Sequence, residues 1–155
     1  MNITLEDFTK EEYEEFVVKS IENYSKDLAK SNDITNDKAL EMSKKQFEAI
    51  LEQGIETPGH YFKKVLNSDN TNLGHIWLGP KKGYDKVSFI YDLFIKEEFR
   101  GQGLGSLILT YTEVFLKDEG YQKISLHVFG HNKPAIRLYE KNDYQVTNLH
   151  MEKAL

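Results

Sequence analysis

The chain has 155 residues, of which 39% are hydrophobic and 12% aromatic, so it is long enough to bury a core and too apolar to be disordered. It contains no cysteine, which excludes disulfides, thiolate metal sites and a cysteine nucleophile. Its net charge of −5 weighs against nucleic acid and anionic membranes as partners, because both need a basic face.

The first third of the sequence predicts a short strand and two helices. Residues 2–5 fit a strand, and Thr9 with Glu12 forms a capping box before a helical pattern that reaches about residue 30. A second pattern of helical spacing covers residues 37–53 and stops before Gly54. We find no apolar leader, long apolar run or linker, so we expect one cytoplasmic domain over residues 1–155.

The rest of the chain predicts a sheet that changes from antiparallel to parallel. Three strand-like runs separated by short turns indicate an antiparallel meander, and they cover residues 60–66, 73–78 and 86–95. The later elements alternate helix and strand, with helices at 103–119 and 133–141, a strand at 123–129 and a final strand pair within 144–153. The sum is an α+β fold with a mixed central sheet flanked by helices and a strand-helix-strand crossover.

A glycine-spaced turn, Phe-Arg-Gly-Gln-Gly-Leu-Gly-Ser at residues 99–106, joins an apolar strand to an amphipathic helix. The first amides of a helix lack intrahelical partners and carry a partial positive charge, so this turn favours a phosphate. A P-loop would need a lysine after Gly105, and none is present. A dinucleotide fingerprint would need an acidic strand end about 20 residues later, where the sequence instead has residues 124–128, Ile-Ser-Leu-His-Val.

The third pattern for such a turn is Arg/Gln-x-x-Gly-x-Gly/Ala, which is met by Arg100, Gly103 and Gly105. Downstream, residues 132–144 read Asn-Lys-Pro-Ala-Ile-Arg-Leu-Tyr-Glu-Lys-Asn-Asp-Tyr. Together these segments resemble the two motifs of the GNAT superfamily of N-acetyltransferases, in the same order. The departures are Asp143 where the family usually has glycine and Tyr144 where it usually has phenylalanine. Because Asp tolerates the left-handed conformation, we expect the turn to be kept.

The resemblance covers residues 86–155 and implies that acetyl-CoA is the co-substrate. It implies that the strands ending near Ile95 and Phe129 splay apart to admit the acetyl-pantetheine arm. It also implies a set of residues that bind coenzyme A through the strand end, the turn and the next helix. These are Leu93, Phe94 and Ile95 by backbone with side chains in the core, then Arg100, Gly101, Gln102, Gly103, Leu104, Gly105, Ser106 and Asn132. Asn132 is either a cap for the following helix or a polar contact to the pantetheine arm, and one residue can do both.

Three catalytic candidates follow from the same resemblance. Tyr139 occupies the position whose tyrosine usually faces the coenzyme A sulfur, and a phenol is a suitable neutral proton donor; the alternative is a packing role. His127, twelve residues earlier, lies where relatives carry a basic glutamate and could accept the amine proton, or it could be a hydrogen-bonded strand histidine. Asp92 interrupts an apolar strand, which suits a substrate ammonium or a structural hydrogen bond. Strand alternation predicts that Tyr91 and Asp92 point to opposite faces.

The remaining histidines and acidic residues do not form a recognisable catalytic or metal site in the sequence. His60, His75, His131 and His150 lack metal-ligand spacing, so we predict no metal and interpret them as surface or strand residues. The acidic run at residues 11–15 fits a solvated first helical turn, although the N-terminal helices of this fold often form a wall of the acceptor site. The loop at residues 56–60 could edge the same site.

The sequence therefore predicts an N-acetyltransferase that moves acetyl from acetyl-CoA directly to an amine of a small molecule or peptide. One alternative is a non-catalytic acyl-CoA-binding or sensing module, which would keep the turn without needing Tyr139 or His127. Another is a nucleotide enzyme. The acceptor and the oligomeric state stay open, with a homodimer among the options.

Overall fold

The computed structural model describes all 155 residues and contains four α-helices. They are α1 (Lys10–Asn32), α2 (Asn36–Ile50), α3 (Leu104–Asp118) and α4 (Lys133–Lys141), with 3-10 turns at Gly54–Glu56 and Glu97–Phe99. The Thr9 hydroxyl accepts a hydrogen bond from the Glu12 amide at 3.1 Å, as the capping box predicts. None of the helices is both long and apolar enough to span a bilayer.

Five strands form one mixed sheet in chain order. They are β1 (Ile3–Asp7), β2 (Tyr61–Asn67), β3 (Asn72–Pro80), β4 (Val87–Ile95) and β5 (Lys123–Leu126). The first four strands pair antiparallel, which confirms the meander, and β5 pairs parallel to β4 after the α3 crossover. The α+β class and the mixed sheet predicted from the sequence are confirmed.

The two faces of the sheet bury different kinds of side chain. An aliphatic cluster that includes Ile76, Ile90, Ile108 and Leu109 lies between the sheet and α3. An aromatic cluster lies between the sheet and the α1–α2 pair, and its buried members are Phe16, Phe47, Leu51, Phe62 and Trp77. The Ser43 hydroxyl ties α2 to α1 by donating to the Ile21 carbonyl at 2.7 Å. The functional cleft opens on the aromatic face.

Two predictions of secondary structure are wrong. The expected strand pair within residues 144–153 is absent, and residues 145–155 are exposed throughout without regular structure. A strand persists only where another strand satisfies its backbone groups, and this segment meets no strand of its own chain. The strand predicted for 123–129 ends at Leu126, because its pairing with β4 stops there.

Candidate active site

The glycine-spaced turn ends at the uncapped N-terminus of α3. Gly103 is the residue before the helix, with a left-handed φ of 78° and no side-chain cap. Gly101 also has a left-handed φ, of 74°, and a Cβ at either residue would meet nothing within 4 Å. The amides that begin α3 therefore face open space at the positive end of the helix dipole, which suits an anion.

The third glycine of the turn serves helix packing. A Cβ at Gly105 would lie 2.9 Å from both methyl carbons of Leu138 and 3.5 Å from Ile95 Cδ1. Glycine thus lets α3 approach α4 and the end of β4 closely. The position of Tyr139, the next residue on α4, depends on that approach.

Polar side chains around the turn are anchored to neighbouring elements. Arg100 Nε donates to the Ile95 carbonyl at 2.8 Å, and the guanidinium lies 5.6 Å from the centre of the Phe94 ring. The Ser106 hydroxyl accepts from Asn142 Nδ2 at 2.9 Å. These contacts hold a cation and a hydroxyl beside the N-terminus of α3, where both groups could bind a pyrophosphate.

The strands on either side of the turn diverge, as the resemblance implies. Pairing between β4 and β5 covers only Val87–Ile90 against Lys123–Leu126. From Tyr91 to Ile95, β4 continues with β3 as its sole partner, so its other edge is open. Backbone groups on that edge are available to an extended amide-bearing ligand such as pantetheine.

The gap between the strands opens into a cleft of about 700 Å³. Several residues singled out from the sequence line it, namely Asp92, Leu93, Phe94, His127, Asn132 and Tyr139. The turn residues 100–106 lie outside this cleft at the start of α3, so the structure separates an anion site from a deeper pocket. A long ligand with a phosphate at one end fits this arrangement.

Tyr139 is largely buried in the wall formed by α4. Desolvation raises the pKa of its phenol well above the usual value, and the nearby Asp92 carboxylate raises it further. The phenol is therefore neutral at physiological pH and can donate a hydrogen bond into the cleft. Its ring also packs edge-on against Tyr144 at 5.4 Å, so packing and a catalytic role are compatible.

His127 and Asn132 follow β5 at the cleft edge. His127 lies one residue beyond the strand, exposed, with its ring edge-on to Phe129 at 4.9 Å. It makes no hydrogen bond within the chain, so it is not the satisfied strand histidine considered as an alternative. Asn132 caps α4, because its side-chain oxygen accepts from the Ala135 amide at 3.3 Å.

Asp92 forms a hydrogen-bonded pair that the sequence did not indicate. His75 Nε2 lies 2.8 Å from Asp92 Oδ2, and the His75 ring packs edge-on against Phe16 at 5.0 Å and stacks on Phe94 at 5.3 Å. Both members of the pair line the cleft. His75 was interpreted as an ordinary strand or surface histidine, and only the antiparallel register of β3 with β4 would have indicated its partner.

Two predictions for β4 are wrong, and a β-bulge explains the first of them. Trp77 pairs with Asp92 and Leu78 with Ile90, so Tyr91 is an extra residue. Tyr91 stacks on Trp77 at 4.6 Å and shares the aromatic face with Asp92, contrary to the simple alternation predicted. Phe94, expected in the core with its neighbours, lies on this face with 38% of its surface exposed.

The deep wall of the cleft is aromatic and held by a neutral histidine. Trp77 Nε1 donates to His60 Nδ1 at 3.0 Å, which requires that nitrogen to be unprotonated. Burial lowers the pKa of His60, in agreement with this role. The Tyr91 hydroxyl donates to the Pro80 carbonyl at 2.9 Å. The wall is thus a rigid apolar surface with its polar atoms satisfied.

The opposite rim carries carboxylates of α1. Glu12, Glu15 and Asp27 line the cleft with Asp92, against the cations of Lys19 and Lys96. Glu12 pairs with Lys64 at 2.9 Å and Asp27 with His131 at 3.2 Å, whereas Glu15 has no ion-pair partner. The lining therefore holds more carboxylates than lysines, which favours a cationic ligand over an anionic one.

Comparisons with known proteins agree with this geometry. The model of the acetyltransferase (GNAT) family matches residues 9–144. The Bacillus subtilis N-acetyltransferase YdgE is 36% identical over 156 residues, which cover 100% of this chain and 99% of YdgE. YycN of the same organism, also named an N-acetyltransferase, is 30% identical over the full length of both chains.

Solved structures of acetyltransferases have the same fold as this chain. The crystal structure of YycN superposes with a TM-score of 0.92, covers 99% of both chains and is 29% identical. The PaiA N-acetyltransferase of Thermoplasma acidophilum, solved in complex with coenzyme A, has a TM-score of 0.68 and 19% identity over 97% of this chain and 94% of PaiA. The resemblance first inferred from two short motifs thus extends over the whole chain.

Proposed function

Because the chain belongs to the GNAT acetyltransferase family and is an acetyl-CoA-dependent acyltransferase, we propose that it moves the acetyl group directly to a primary amine while both substrates occupy the cleft. One observation carries this proposal: the open edge of β4, the Tyr139 phenol and the carboxylate rim all face the same space of about 700 Å³. The lack of cysteine favours direct transfer over an acyl-cysteine intermediate. We propose residues 1–155 as one catalytic domain, and the expected cytoplasmic location stays a prediction.

Coenzyme A binding is assigned to backbone more than to side chains. The free amides at the start of α3 would hold the pyrophosphate, with Arg100 and Ser106 beside it. The open edge of β4 between Leu93 and Ile95 would pair with the pantetheine amides, and a β4 amide would donate to the thioester oxygen as negative charge develops there. Asn132, at the end of the β5 loop, would contact the pantetheine arm while it caps α4.

Tyr139 is assigned to the leaving thiolate. A thiol has a pKa of about 8.5, so its anion needs only modest stabilisation as the C–S bond breaks. The raised pKa of Tyr139 keeps the phenol protonated at physiological pH, so it would donate a hydrogen bond to sulfur. The amine nitrogen forms the new C–N bond, and the proton that it releases must leave by another route.

The His75–Asp92 pair is our proposed route for that proton. Asp92 lies close enough to Tyr139 for its charge to affect the phenol, so it is near the reaction centre. Its carboxylate would hold the substrate ammonium. His75 Nε2 lies 2.8 Å from that carboxylate, so the other ring nitrogen, Nδ1, would accept the proton that the ammonium releases. A neutral imidazole suits this task better than a carboxylate. His127, exposed and unpartnered, is the alternative base.

The acceptor that best fits the other wall is a cationic amine with an apolar body. Such a molecule would place its hydrocarbon or aromatic part against Trp77 and Tyr91 and its ammonium near Asp92. Glu15, which has no ion-pair partner in the chain, would attract the cation to the mouth of the cleft. Drug-like amines, polyamines and lysine side chains all remain within this class.

The test of the proposal is calorimetric titration of acetyl-CoA into the wild type, Gly103→Glu and Gly83→Glu. Both glycines have left-handed φ values, 78° and 85°, and open space at Cβ, so both variants carry a similar backbone strain of about 1–2 kcal/mol. Only Gly103→Glu puts a carboxylate at the start of α3. We expect stoichiometric binding to the wild type and to Gly83→Glu, with binding lost in Gly103→Glu. Failure of the wild type to bind would overturn the proposal.

Turnover distinguishes an enzyme from an acyl-CoA-binding module. We expect a panel of alkyl and arylalkyl amines to release coenzyme A from the acetyl-CoA complex, and no turnover with any amine would favour the module. Among the active amines, kcat should fall in His75→Gln and stay near the wild-type value in His127→Gln. The reverse result would assign the base to His127.

A further inference from the structure

Helix α1 crosses the cleft from β3 to the loop after β5 and is attached on both sides. Near its start, the Phe16 ring packs edge-on against His75 at 5.0 Å and against Trp77 at 5.9 Å. Near its end, the Tyr24 ring lies 6.0 Å from the ring of Phe129. Helical residues between these contacts line the cleft, namely Lys19, Ser20 and Asn23. Helix α1 therefore covers the cleft between two attachments.

The attachment near the end of α1 depends on His131, which lies in the loop between β5 and α4. His131 Nε2 lies 3.2 Å from Asp27 Oδ1, and Nδ1 lies 3.3 Å from the Ser31 hydroxyl. The ring also stacks on Phe129 at 5.5 Å. Tyr24, Asp27 and Ser31 are three and four residues apart, so one stripe of α1 faces this loop. We call the contacts of His131 with Asp27 and Ser31 the latch.

Both ring nitrogens of His131 are used in the latch. A carboxylate only accepts hydrogen bonds, so Nε2 carries a hydrogen and donates to Asp27. In the neutral ring, Nδ1 accepts from the Ser31 hydroxyl, and in the protonated ring it donates to the same oxygen. The latch therefore holds in either protonation state of the ring, and it is a structural tie rather than a pH switch.

Aspartate, histidine and serine also form the triad of serine hydrolases, but the arrangement here does not suit a nucleophile. In that triad the serine is bonded to Nε2 and the carboxylate to Nδ1, which is the reverse of the contacts of His131. Ser31 lies in the last turn of α1, whose negative dipole end would oppose an oxyanion. Neither Ser31 nor His131 is among the residues that line the cleft. The three residues therefore hold α1 in place.

The latch joins two opposite walls of the cleft. Tyr24 and Asp27 line the cleft from α1, and Phe129 and Asn132 line it from the loop after β5. The volume of about 700 Å³ is typical of a site for one drug-sized ligand. Under the proposed function, the acetyl-pantetheine arm and the acceptor share this volume. Little width is then left for the acceptor while α1 is held down.

We propose that the latch fixes the height of α1 above the strands and thereby limits how wide an acceptor amine can be. With the latch closed, the cleft takes a slender amine whose body lies along the aromatic wall, and it excludes a body that branches close to the amine-bearing carbon. His131 is a specificity-determining residue that touches no reacting atom. The size limit rests on the proposed function and deepens it, since it narrows the class of acceptor.

The experiment compares acetylation of a slender and a wide amine by the wild type, His131→Ala, Ser31→Ala and His150→Ala. The amines are phenethylamine and its analogue with a second phenyl group on the same carbon, so their amino groups are alike. His131→Ala removes the whole latch, whereas Ser31→Ala removes one of its bonds from outside the cleft. His150 is exposed in the C-terminal segment, so His150→Ala is the control for loss of a histidine.

We expect the ratio of kcat/KM for the wide amine to that for the slender amine to rise roughly 10-fold or more in His131→Ala. The ratio should rise less in Ser31→Ala and stay unchanged in His150→Ala. A latch with a merely structural role would lower the turnover of both amines in proportion. An unchanged ratio in His131→Ala, or an equal rise in His150→Ala, would therefore overturn the proposal.

Hydrogen exchange tests the latch without any acceptor. We expect faster exchange of the amides of residues 24–32 in His131→Ala, with little change in residues 14–20, because the contacts of Phe16 remain. Unchanged exchange throughout α1 would overturn the latch. Turnover of neither amine by any variant would contradict the proposed function and the size limit that rests on it, whereas exchange would still decide whether His131 holds α1.

Discussion

The two walls of the cleft are made from different parts of the polypeptide. The wall that we propose for coenzyme A consists of the open edge of β4, the turn before α3 and the helix α4, and it offers chiefly backbone groups. The wall that we propose for the acceptor consists of side chains from α1, α2, β3 and β4, with Trp77 and His75 at its centre, and His60 supports Trp77 from behind. Backbone recognition suits a co-substrate that every relative shares, whereas side chains can change with the acceptor.

Replacement of Tyr139 by phenylalanine tests the point where the two walls meet, and we expect the largest effect there. Removal of the phenol should lower kcat by about 10²- to 10⁴-fold, the usual contribution of a positioned proton donor. The Kd of acetyl-CoA, measured by calorimetry, should change little because the ring remains. Steady-state kinetics with an active amine give kcat.

Tyr144→Phe is the matched control for this substitution. Tyr144 also has a buried phenol with a raised pKa, but its hydroxyl has no hydrogen-bond partner and the residue is not among those that line the cleft. Loss of this hydroxyl should leave kcat unchanged and should not reduce stability. Equal kinetic losses in the two variants would assign Tyr139 to packing alone.

Gly105→Ala tests whether close packing of α3 on α4 supports the coenzyme A wall. The added methyl group would lie 2.9 Å from two carbons of Leu138, so either the Leu138 side chain or α4 itself must shift. Overpacking of this kind costs about 1–3 kcal/mol. We expect a lower urea midpoint and a fall in kcat, because Tyr139 follows Leu138 on the helix.

Shortening Leu138 should relieve the clash. In the double variant Gly105→Ala/Leu138→Val, stability and kcat should both recover toward those of Leu138→Val alone, with a coupling free energy of about 1 kcal/mol or more. Strictly additive effects in the double-mutant cycle would show that Gly105 serves the turn itself and not the contact with α4.

The contrast between the walls also explains what the sequence could predict. The turn, the cap at Asn132 and the left-handed residue Asp143, whose φ is 66°, are local features that depend on neighbours within a few residues. Each was predicted, and the family followed from the turn and from the sequence of residues 132–144. Backbone-built sites leave local signals because they constrain glycine positions and helix ends.

The acceptor wall was not predictable in the same way. His75 becomes significant only because β3 pairs with β4 and brings Asp92 to it. The shared face of Tyr91 and Asp92 depends on a bulge, and a single extra residue reverses the alternation on which the prediction relied. Residues 145–155 are a third case, since their strand pattern is visible in the sequence but no strand of the chain pairs with them.

His60→Asn tests the acceptor wall through the pH dependence of stability. Burial lowers the pKa of His60 below that of the unfolded chain, so the unfolded state binds the extra proton more readily, and stability falls as pH decreases through about 6.5. Asparagine can accept from Trp77 Nε1 without titrating. We expect the loss of unfolding free energy between about pH 7.5 and 5.5 to be smaller in the variant, measured by Trp77 fluorescence in urea. Parallel pH dependences would contradict a neutral His60.

Asp143→Gly sharpens the comparison at the end of α4, where the coenzyme A wall is held by a residue that departs from the family pattern. Asp143 adopts a φ of 66° and its amide donates to the Glu140 carbonyl at 3.1 Å, so glycine would keep the hydrogen bond without the Cβ penalty. Because Asp tolerates this conformation better than most residues, the gain should be small, about 0.5–1 kcal/mol in unfolding free energy. Asp143→Ala, which adds no polar group to offset the strain, should be less stable than either. If Asp143→Ala were instead more stable than the wild type, the left-handed backbone would not limit stability here. The glycine that the family usually has at this position would then serve a purpose other than ending the helix.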